Sequence, residues 1–347
     1  MQLRTTLILV TLGTLAAPLA TWALLPLPYL LGPLITAACV AILLPGRLPA
    51  GYRFPELLRR VFIGLIGVMV GGQITPGLFS DPLRLGQSTL LLGGFVLLAL
   101  LGNMVIFRRL GGYDPATSLC AASPGGLYEA IALGDETGAD PARVMLQQFL
   151  RVILVVTLVP VGLSLWLGGP VGSAAGFSFA REAADPRALP WIALALGAGM
   201  ILGPRLRLPA AQLTAPLAAA AVITLSGLGP VTLPQWLVNM AQIVIGTALG
   251  LRFVGLNRAL LARGAALAML SVGFMLGLAG GMAAILIRLW PVPFDVALIS
   301  FAPGGLTEMA LIALGLGAAP AFVTLHHIIR ILLTVIITGL IARRLDL

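Results

Sequence analysis

Lysine is missing from this chain: all 21 basic residues are arginine. Charge of either sign is scarce, at 10% of 347 residues, where a soluble domain carries about a quarter. So few charges cannot coat a water-facing surface, which excludes a soluble enzyme, a disordered tail and an ordinary nucleic-acid-binding domain. Histidine and cysteine occur twice each. His326 and His327 are adjacent, so on a helix they point about 100° apart and cannot assemble a His-rich catalytic metal centre. Cys39 and Cys120 fall in apolar stretches and read as small buried hydrophobes, not as a disulfide or metal ligands. Without lysine there is no Gly-x4-Gly-Lys-Ser/Thr phosphate loop. Long polar connections are missing too. The longest, 169–188, is too small to be a domain.

What is present is apolar: 59% of the residues, with a mean hydropathy of +1.06. This is the composition of a polytopic membrane protein. The net charge of +9 comes from arginines scattered singly or in small groups between apolar runs. That is the pattern of loop anchoring under the positive-inside rule, not of a nucleic-acid-binding stripe. Spans of about 20 apolar residues are expected at 5–24, 29–44, 57–79, 88–107, 115–134, 144–168, 189–204, 213–228, 236–254, 264–289, 295–315 and 318–342. The first follows Arg4 as a signal peptide would. Its run is long for that role, no convincing small-residue cleavage site precedes Tyr29, and it has a counterpart near 188–207. It is expected to stay as a span.

The most informative feature is a duplication. Shifted by 179 residues, Ser123–Leu154 lies over Ala302–Leu333 without a gap, with 13 of 32 positions identical. Pro124-Gly125-Gly126-Leu127 falls on Pro303-Gly304-Gly305-Leu306, Glu129 on Glu308, Gly138 on Gly317, Pro141 on Pro320 and Arg151 on Arg330. Gly67 and Gly71 fall on Gly246 and Gly250. Before residue 50 the shift becomes 183, so that Pro33 matches Pro216. The chain thus divides into a membrane repeat at 1–170, a connecting loop at 171–188 and a second membrane repeat at 189–347.

Arginine positions test how the halves are oriented. If all twelve elements cross and the N-terminus is inside, twelve arginines fall inside and seven outside. If the fifth element of each half enters and leaves on one side, the halves become inverted and the division is fifteen to four. The stronger bias favours inversion. The expected fold is therefore an all-α integral membrane protein with two homologous halves. It has about ten spanning helices plus one broken re-entrant element per half.

The fifth elements supply their own reason to break. Pro124, Gly125 and Gly126, and again Pro303, Gly304 and Gly305, interrupt apolar runs at mid-element. Proline lacks an N–H and glycine takes backbone angles that other residues avoid. Irregular backbone at membrane depth is tolerated only when buried in protein or lining a wet cavity. The half-helices starting near Leu127 and Leu306 would offer free N–H groups and a positive dipole end, a natural anion site. Glu129 and Glu308 follow each break and read either as caps of those half-helices or as proton or cation sites. Arg151 and Arg330 are the basic residues well inside predicted spans, 22 residues after each Glu. They either pair with the carboxylates or bind an anionic substrate. Gln147 and His326 stand four residues before them, on the same helix face. Gln148 matches His327. The Gly67-x-x-x-Gly71 and Gly246-x-x-x-Gly250 patterns suit close helix packing, within one chain or between the two copies of a homodimer.

The duplicated Pro-Gly-Gly-Leu-x-x-Glu signature, Pro124–Glu129 and Pro303–Glu308, resembles the Gram-negative membrane AbrB-type family, as do the length and the two-fold hydrophobic repeat. The resemblance covers essentially the whole chain and implies a multi-pass protein of the bacterial inner membrane. Regulator of gene expression and ammonia monooxygenase are the labels attached to that family. A copper monooxygenase needs clustered ligands and a direct transcription factor needs a soluble reading head. Neither is in this sequence. The expected function is ion-gradient-coupled secondary transport of a small solute, with lipid and that solute as partners, no cofactor, no enzymatic reaction and no nucleic acid. The competing expectation is a membrane-embedded regulator that acts indirectly, without a transport cycle. A membrane oxidoreductase is a third, weaker one.

Overall fold

The computed structural model describes residues 2–25, 27–49, 51–125, 130, 133–134, 136–168, 185, 187–206, 210–254 and 258–345. Among the described residues there is no strand. The helices are α1 (Gln2–Trp22), α2 (Pro28–Leu43), α3 (Glu56–Gly71), α4 (Pro82–Arg109), α5 (Pro115–Ala122), α6 (Pro141–Leu167) and α7 (Ala188–Leu206). They continue with α8 (Ala211–Leu225), α9 (Gln235–Gly250), α10 (Arg258–Leu289), α11 (Phe294–Phe301), α12 (Leu306–Leu316) and α13 (Pro320–Arg344). Seven are long and apolar enough to cross a membrane: α1, α4, α6, α7, α9 with its 3-10 extension, α10 and α13. Three shorter apolar helices are α2, α8 and α12. The protein is an all-helical, multi-pass membrane protein. The third element is shorter than expected: α3 ends at Gly71, beside Gly72, and a separate short turn of 3-10 helix covers Pro76–Phe79.

Helix ends follow local chemistry. Asp81 and Asp114 cap α4 and α5 by accepting from Arg84 N and Thr117 N. Gly138 and Gly317 take left-handed φ of 72° and 64°, which a side chain would oppose. Each is followed within three residues by the proline that opens the next helix, Pro141 or Pro320. Leu27 and Ala210, equivalent under the shift of 183, precede α2 and α8 in the same left-handed conformation.

The chain forms two compact units, and neither is one of the sequence halves. The first takes 1–78, 160–256 and 310–321. In it α3 packs on α8 and α9 packs on α2. A Cβ on Gly67 would collide with the Leu213 carbonyl oxygen, and one on Gly71 with that of Leu217. Gly246 stands in the same relation to Leu30, and Gly250 to Leu34. These four contacts map onto each other under the repeat shifts. Both Gly-x-x-x-Gly patterns are therefore spent on packing within the chain. A further buried cluster joins Leu9, Ala37, Tyr52 and Leu251, and Tyr52 Oη lies 2.8 Å from Thr6 Oγ1.

The second unit takes 79–159, 257–309 and 322–347. Its core joins Leu100, Met104 and Phe107 of α4 to Leu119, Ala121 and Ala122 of α5 and Ala342 of α13. Phe107 stacks on Tyr113 at 5.6 Å, and Phe95 meets Phe301 at 6.2 Å. Leu90, Leu97 and Leu101 of α4, with Met269, Leu270 and Phe274 of α10, are large, apolar and exposed. An aqueous surface would not carry so much apolar area, and lipid covers it at no cost.

Candidate functional site

The candidate site belongs to the second unit and is built on α5 and α11, two helices of 8 residues each. Both stop at the Pro-Gly-Gly sequences, at Ser123 and Ala302. In each case the start of the next long helix lies beside the start of the short one. The Asp140 amide donates to Thr117 Oγ1 at 2.8 Å, so the start of α6 meets the start of α5. The Arg143 guanidinium lies over the Tyr113 ring, 5.1 Å from its centre. On the other side Trp290, ahead of α11, meets Phe322 at the start of α13, with ring centres 5.2 Å apart. A single crossing helix would hold these pairs a membrane thickness apart. Each fifth element is therefore a hairpin with both ends together. Burial pushes the Asp114 carboxyl up, but hydrogen bonds from Thr117 outweigh it and hold the group below the usual carboxylate range.

A helix that ends inside an apolar region leaves carbonyls without partners. Here they are taken by the polar residues of the next long helix. Gln148 Nε2 donates to the carbonyls of Cys120 at 2.9 Å and Ser123 at 3.2 Å, and Arg151 Nη1 also donates to Ser123. In the second half His327 Nε2 donates to the Ile299 carbonyl at 2.9 Å, while Arg330 donates through Nη1 to Ala302 and through Nη2 to Gly304. Cys120 and Ile299, Ser123 and Ala302, Gln148 and His327, and Arg151 and Arg330 are equivalent under the 179-residue shift. The positive charges lie at helix C-termini, where the backbone dipole favours them.

Arg151 and Arg330 are 5% and 1% exposed. Among the described residues the ion pairs are Arg59 and Arg60 with Glu56, Arg84 with Asp81, and Arg143 with Asp140. Neither buried arginine is in this set. The expected pairing of Arg330 with Glu308 is not formed. Arg330 is directed instead to the carbonyls that the break leaves open. Glu308 is buried in the first turn of α12, its carboxylate folded against Gly305 so closely that a Cβ there would collide with Oε2. Glu129, Gly126 and Leu127 lie outside the described residues.

Gln147 and His326 are buried beside these groups but are held in other contacts. Gln147 Nε2 donates to Tyr113 Oη at 3.1 Å and to the Gly264 carbonyl at 3.3 Å. His326 Nδ1 donates to the Phe322 carbonyl at 3.0 Å, and its Nε2 lies 3.0 Å from Ser88 Oγ. Gly304 sits where a Cβ would collide with the Met309 side chain.

The break of the first half opens on a cavity of about 300 Å³. Ser123 and Gly125 line it from the break, Thr334 and Thr338 from α13. The two threonines were not among the expected site residues. They stand 4 and 8 residues after Arg330, so His326, Arg330, Thr334 and Thr338 form one polar stripe at helical spacing along α13. That stripe was available as a signal.

Residues 29–346 match the family described as transition state regulatory protein AbrB. The chain belongs to this family. The match takes in both halves and both broken elements of this AbrB-family chain. A protein of Escherichia coli (strain K12) named "Putative regulator AbrB" is 29% identical over 313 residues, covering 86% of this chain and 88% of its own length. "Uncharacterized protein YhjN" of Bacillus subtilis (strain 168) is 28% identical over 338 residues, covering 88% of this chain and 84% of its own length.

Proposed function

We propose that this AbrB-family chain is an ion-gradient-coupled secondary transporter of a small anionic solute, working by alternating access in a bacterial inner membrane, and that it is not an enzyme. The observation that carries the reading is the pair of helices broken at repeat-equivalent positions, each ending on a buried arginine inside an apolar protein. Discontinuous helices of this kind are where transporters hold their solutes and coupling ions. Glu129 and Glu308 carry the coupling proton in this reading, and Arg151 and Arg330 supply the positive charge. Bacterial relatives and helical spans support the inner-membrane location, since outer-membrane proteins are built as barrels.

The test is proton movement into proteoliposomes loaded with a pH-sensitive dye, driven by gradients of small organic acids. The Glu129→Gln, Glu308→Gln double variant is expected to lose solute-driven proton movement while keeping its yield and monodispersity. Movement at the wild-type rate would remove the carboxylates from the mechanism.

The hairpin geometry of both fifth elements, with the fifteen-to-four arginine division, supports inverted halves. Single cysteines at Gly46 and Gly255, in a chain lacking Cys39 and Cys120, are both expected to react with a membrane-impermeant maleimide only from the cytoplasmic side. Reaction from opposite sides would make the halves parallel.

One observation favours a second reading. The Escherichia coli relative is named as a regulator. A membrane regulator would use the same buried groups as structural caps and would move no solute, so the liposome experiment separates the two.

A further inference from the structure

Threonines inside helices usually return their hydroxyl to the carbonyl four residues back. Thr6, Thr14, Thr21, Thr36 and Thr157 all do so in this chain. Thr334 and Thr338 do not, and neither do Thr224, Thr247 and Thr324; what sets Thr334 and Thr338 apart is that they line a cavity. Their hydroxyls are buried, 1% and 4% exposed as residues, and have no hydrogen-bond partner among the described residues. Both line the cavity at the first break. Arg330 Nε, on the preceding turn, is equally buried and equally without a partner. An unpaired buried polar group costs roughly 1–3 kcal/mol, so two open hydroxyls lining one cavity, with Arg330 Nε close to the lining residue Gly125, call for an acceptor.

We propose that this cavity recognises a small aliphatic monocarboxylate, whose carboxylate oxygens accept from Thr334 Oγ1, Thr338 Oγ1 and Arg330 Nε. The proposal rests on the transporter reading and names the class of its solute. Gly125 is what keeps the donors open. A Cβ there would stand 3.2 Å from Thr334 Oγ1 and 3.5 Å from Arg330 Nε, across the approach to both. Charge asks for an anion: Arg151 and Arg330 lie within electrostatic reach of each other, and among the described residues neither is in an ion pair. The remaining lining asks for hydrocarbon. Leu133, Ala130 and Val335 face the same space and offer nothing to an inorganic oxyanion, but they cover a short alkyl chain. The volume sits at the lower end of small-molecule sites. Glu136, an exposed carboxylate also lining the cavity, opposes a second negative charge on the ligand.

The site breaks the repeat. The counterparts of Thr334 and Thr338 under the shift are Val155 and Val159. Valine is therefore already accommodated at both places in the other half. That makes Thr334→Val with Thr338→Val a clean variant: it removes the two hydroxyls, keeps shape, and leaves the arginine in place.

The experiment follows the thermal midpoint of the purified full-length chain in detergent by tryptophan fluorescence. The probe is 2-hydroxybutyrate, compared with the neutral 2-hydroxybutyramide and with inorganic phosphate at matched ionic strength. The carboxylate is expected to raise the midpoint saturably, and the amide and phosphate to leave it unchanged. The double valine variant is expected to keep or exceed the wild-type midpoint without ligand. Its affinity for the carboxylate should fall about tenfold or more, the scale of losing charge-assisted hydrogen bonds. Gly125→Ala, which keeps every donor, should weaken the response as well. Three results would overturn the proposal: no stabilisation of the wild type, equal stabilisation by phosphate, or an undiminished response in the valine variant. Proteoliposomes separate this from the broader reading. Saturable binding without carboxylate-driven proton movement removes transport and leaves the site. Proton movement that the valine variant retains in full removes the site and leaves transport.

Discussion

Arg330→Met is expected to destabilise the protein far more than Arg151→Met, although the two arginines are equivalent in the repeat. Arg330 donates to two carbonyls, those of Ala302 and Gly304, and Ala302 has a second donor in the Gly304 amide at 2.9 Å. Removing Arg330 therefore strips the Gly304 carbonyl and weakens the Ala302 one. Among the described residues Arg151 donates to Ser123, and Gln148 Nε2 already shares that carbonyl at 3.2 Å. Hydrogen bonds from a charged donor contribute roughly 1.5–3 kcal/mol each. The expected loss is thus about 3–5 kcal/mol for Arg330→Met and about 1–2 kcal/mol for Arg151→Met. Relief of the buried charge does not reverse the sign. The charge has to be accommodated in the bilayer whether or not α13 is docked, and docking is what supplies its hydrogen bonds. The measurement is the thermal midpoint and the monodisperse yield of both variants in one detergent. Equal losses would show that the arginines act through charge and not as caps of the broken helices. Arg330→Lys should resemble Met more than wild type, because a single ammonium cannot reproduce a fork spanning two carbonyls.

Gly246→Val and Gly67→Val are expected to destabilise the first compact unit by about 3 kcal/mol each, at the upper end of overpacking costs. The obstacle in both cases is a backbone carbonyl, of Leu30 or Leu213, inside a neighbouring helix. A flexible side chain could swing aside, but a hydrogen-bonded helix must translate as a body. The pairs α9 with α2 and α3 with α8 would have to separate. The double variant should fail to give folded protein. Gly93→Val and Gly277→Val are the comparison, since nothing lies within 4 Å of a Cβ at either position. They should change the midpoint little or raise it, because valine is a better helix former than glycine. If all four variants behave alike, the close approach of the helices is not what these glycines provide.

Much of the site could be read along the chain. The Pro-Gly-Gly breaks needed only local rules, because a proline and two glycines stop a helix whatever surrounds them. The buried arginines stood out because a charge in an apolar run is rare and expensive. The partner of Arg330 did not stand out. Charge alone pointed to a carboxylate of the broken elements, Glu308 in the same half or Glu129 across the halves. The orphan carbonyls of α11 compete for the same guanidinium, and every residue carries a carbonyl, so no residue type marks where one is left open. Thr334 and Thr338 could be read along the chain only as members of a stripe at helical spacing with Arg330, which does not show that their hydroxyls are open. Threonine is common in apolar helices, where its hydroxyl is satisfied by its own backbone. Only the hydrogen bonds actually made distinguish these two from Thr6 or Thr157.

The sequence by itself determined that this is a helical membrane protein, that it is duplicated, and that each half carries one broken element with a carboxylate and an arginine in step. Those properties follow from composition, from self-similarity and from proline and glycine, all of which act locally or add up along the chain. Tertiary structure decided which helices meet. The Gly-x-x-x-Gly patterns were equally suited to packing within the chain or between two copies, and the carbonyls of Leu30 and Leu213 allot them to the first unit of the same chain. The compact units likewise draw helices from both halves, although the repeat is read as two consecutive stretches. Similarity along a chain records which segments are alike. Which segments pack together is set by the complementary faces they bring to one another, and such a face exists only once two distant helices are side by side.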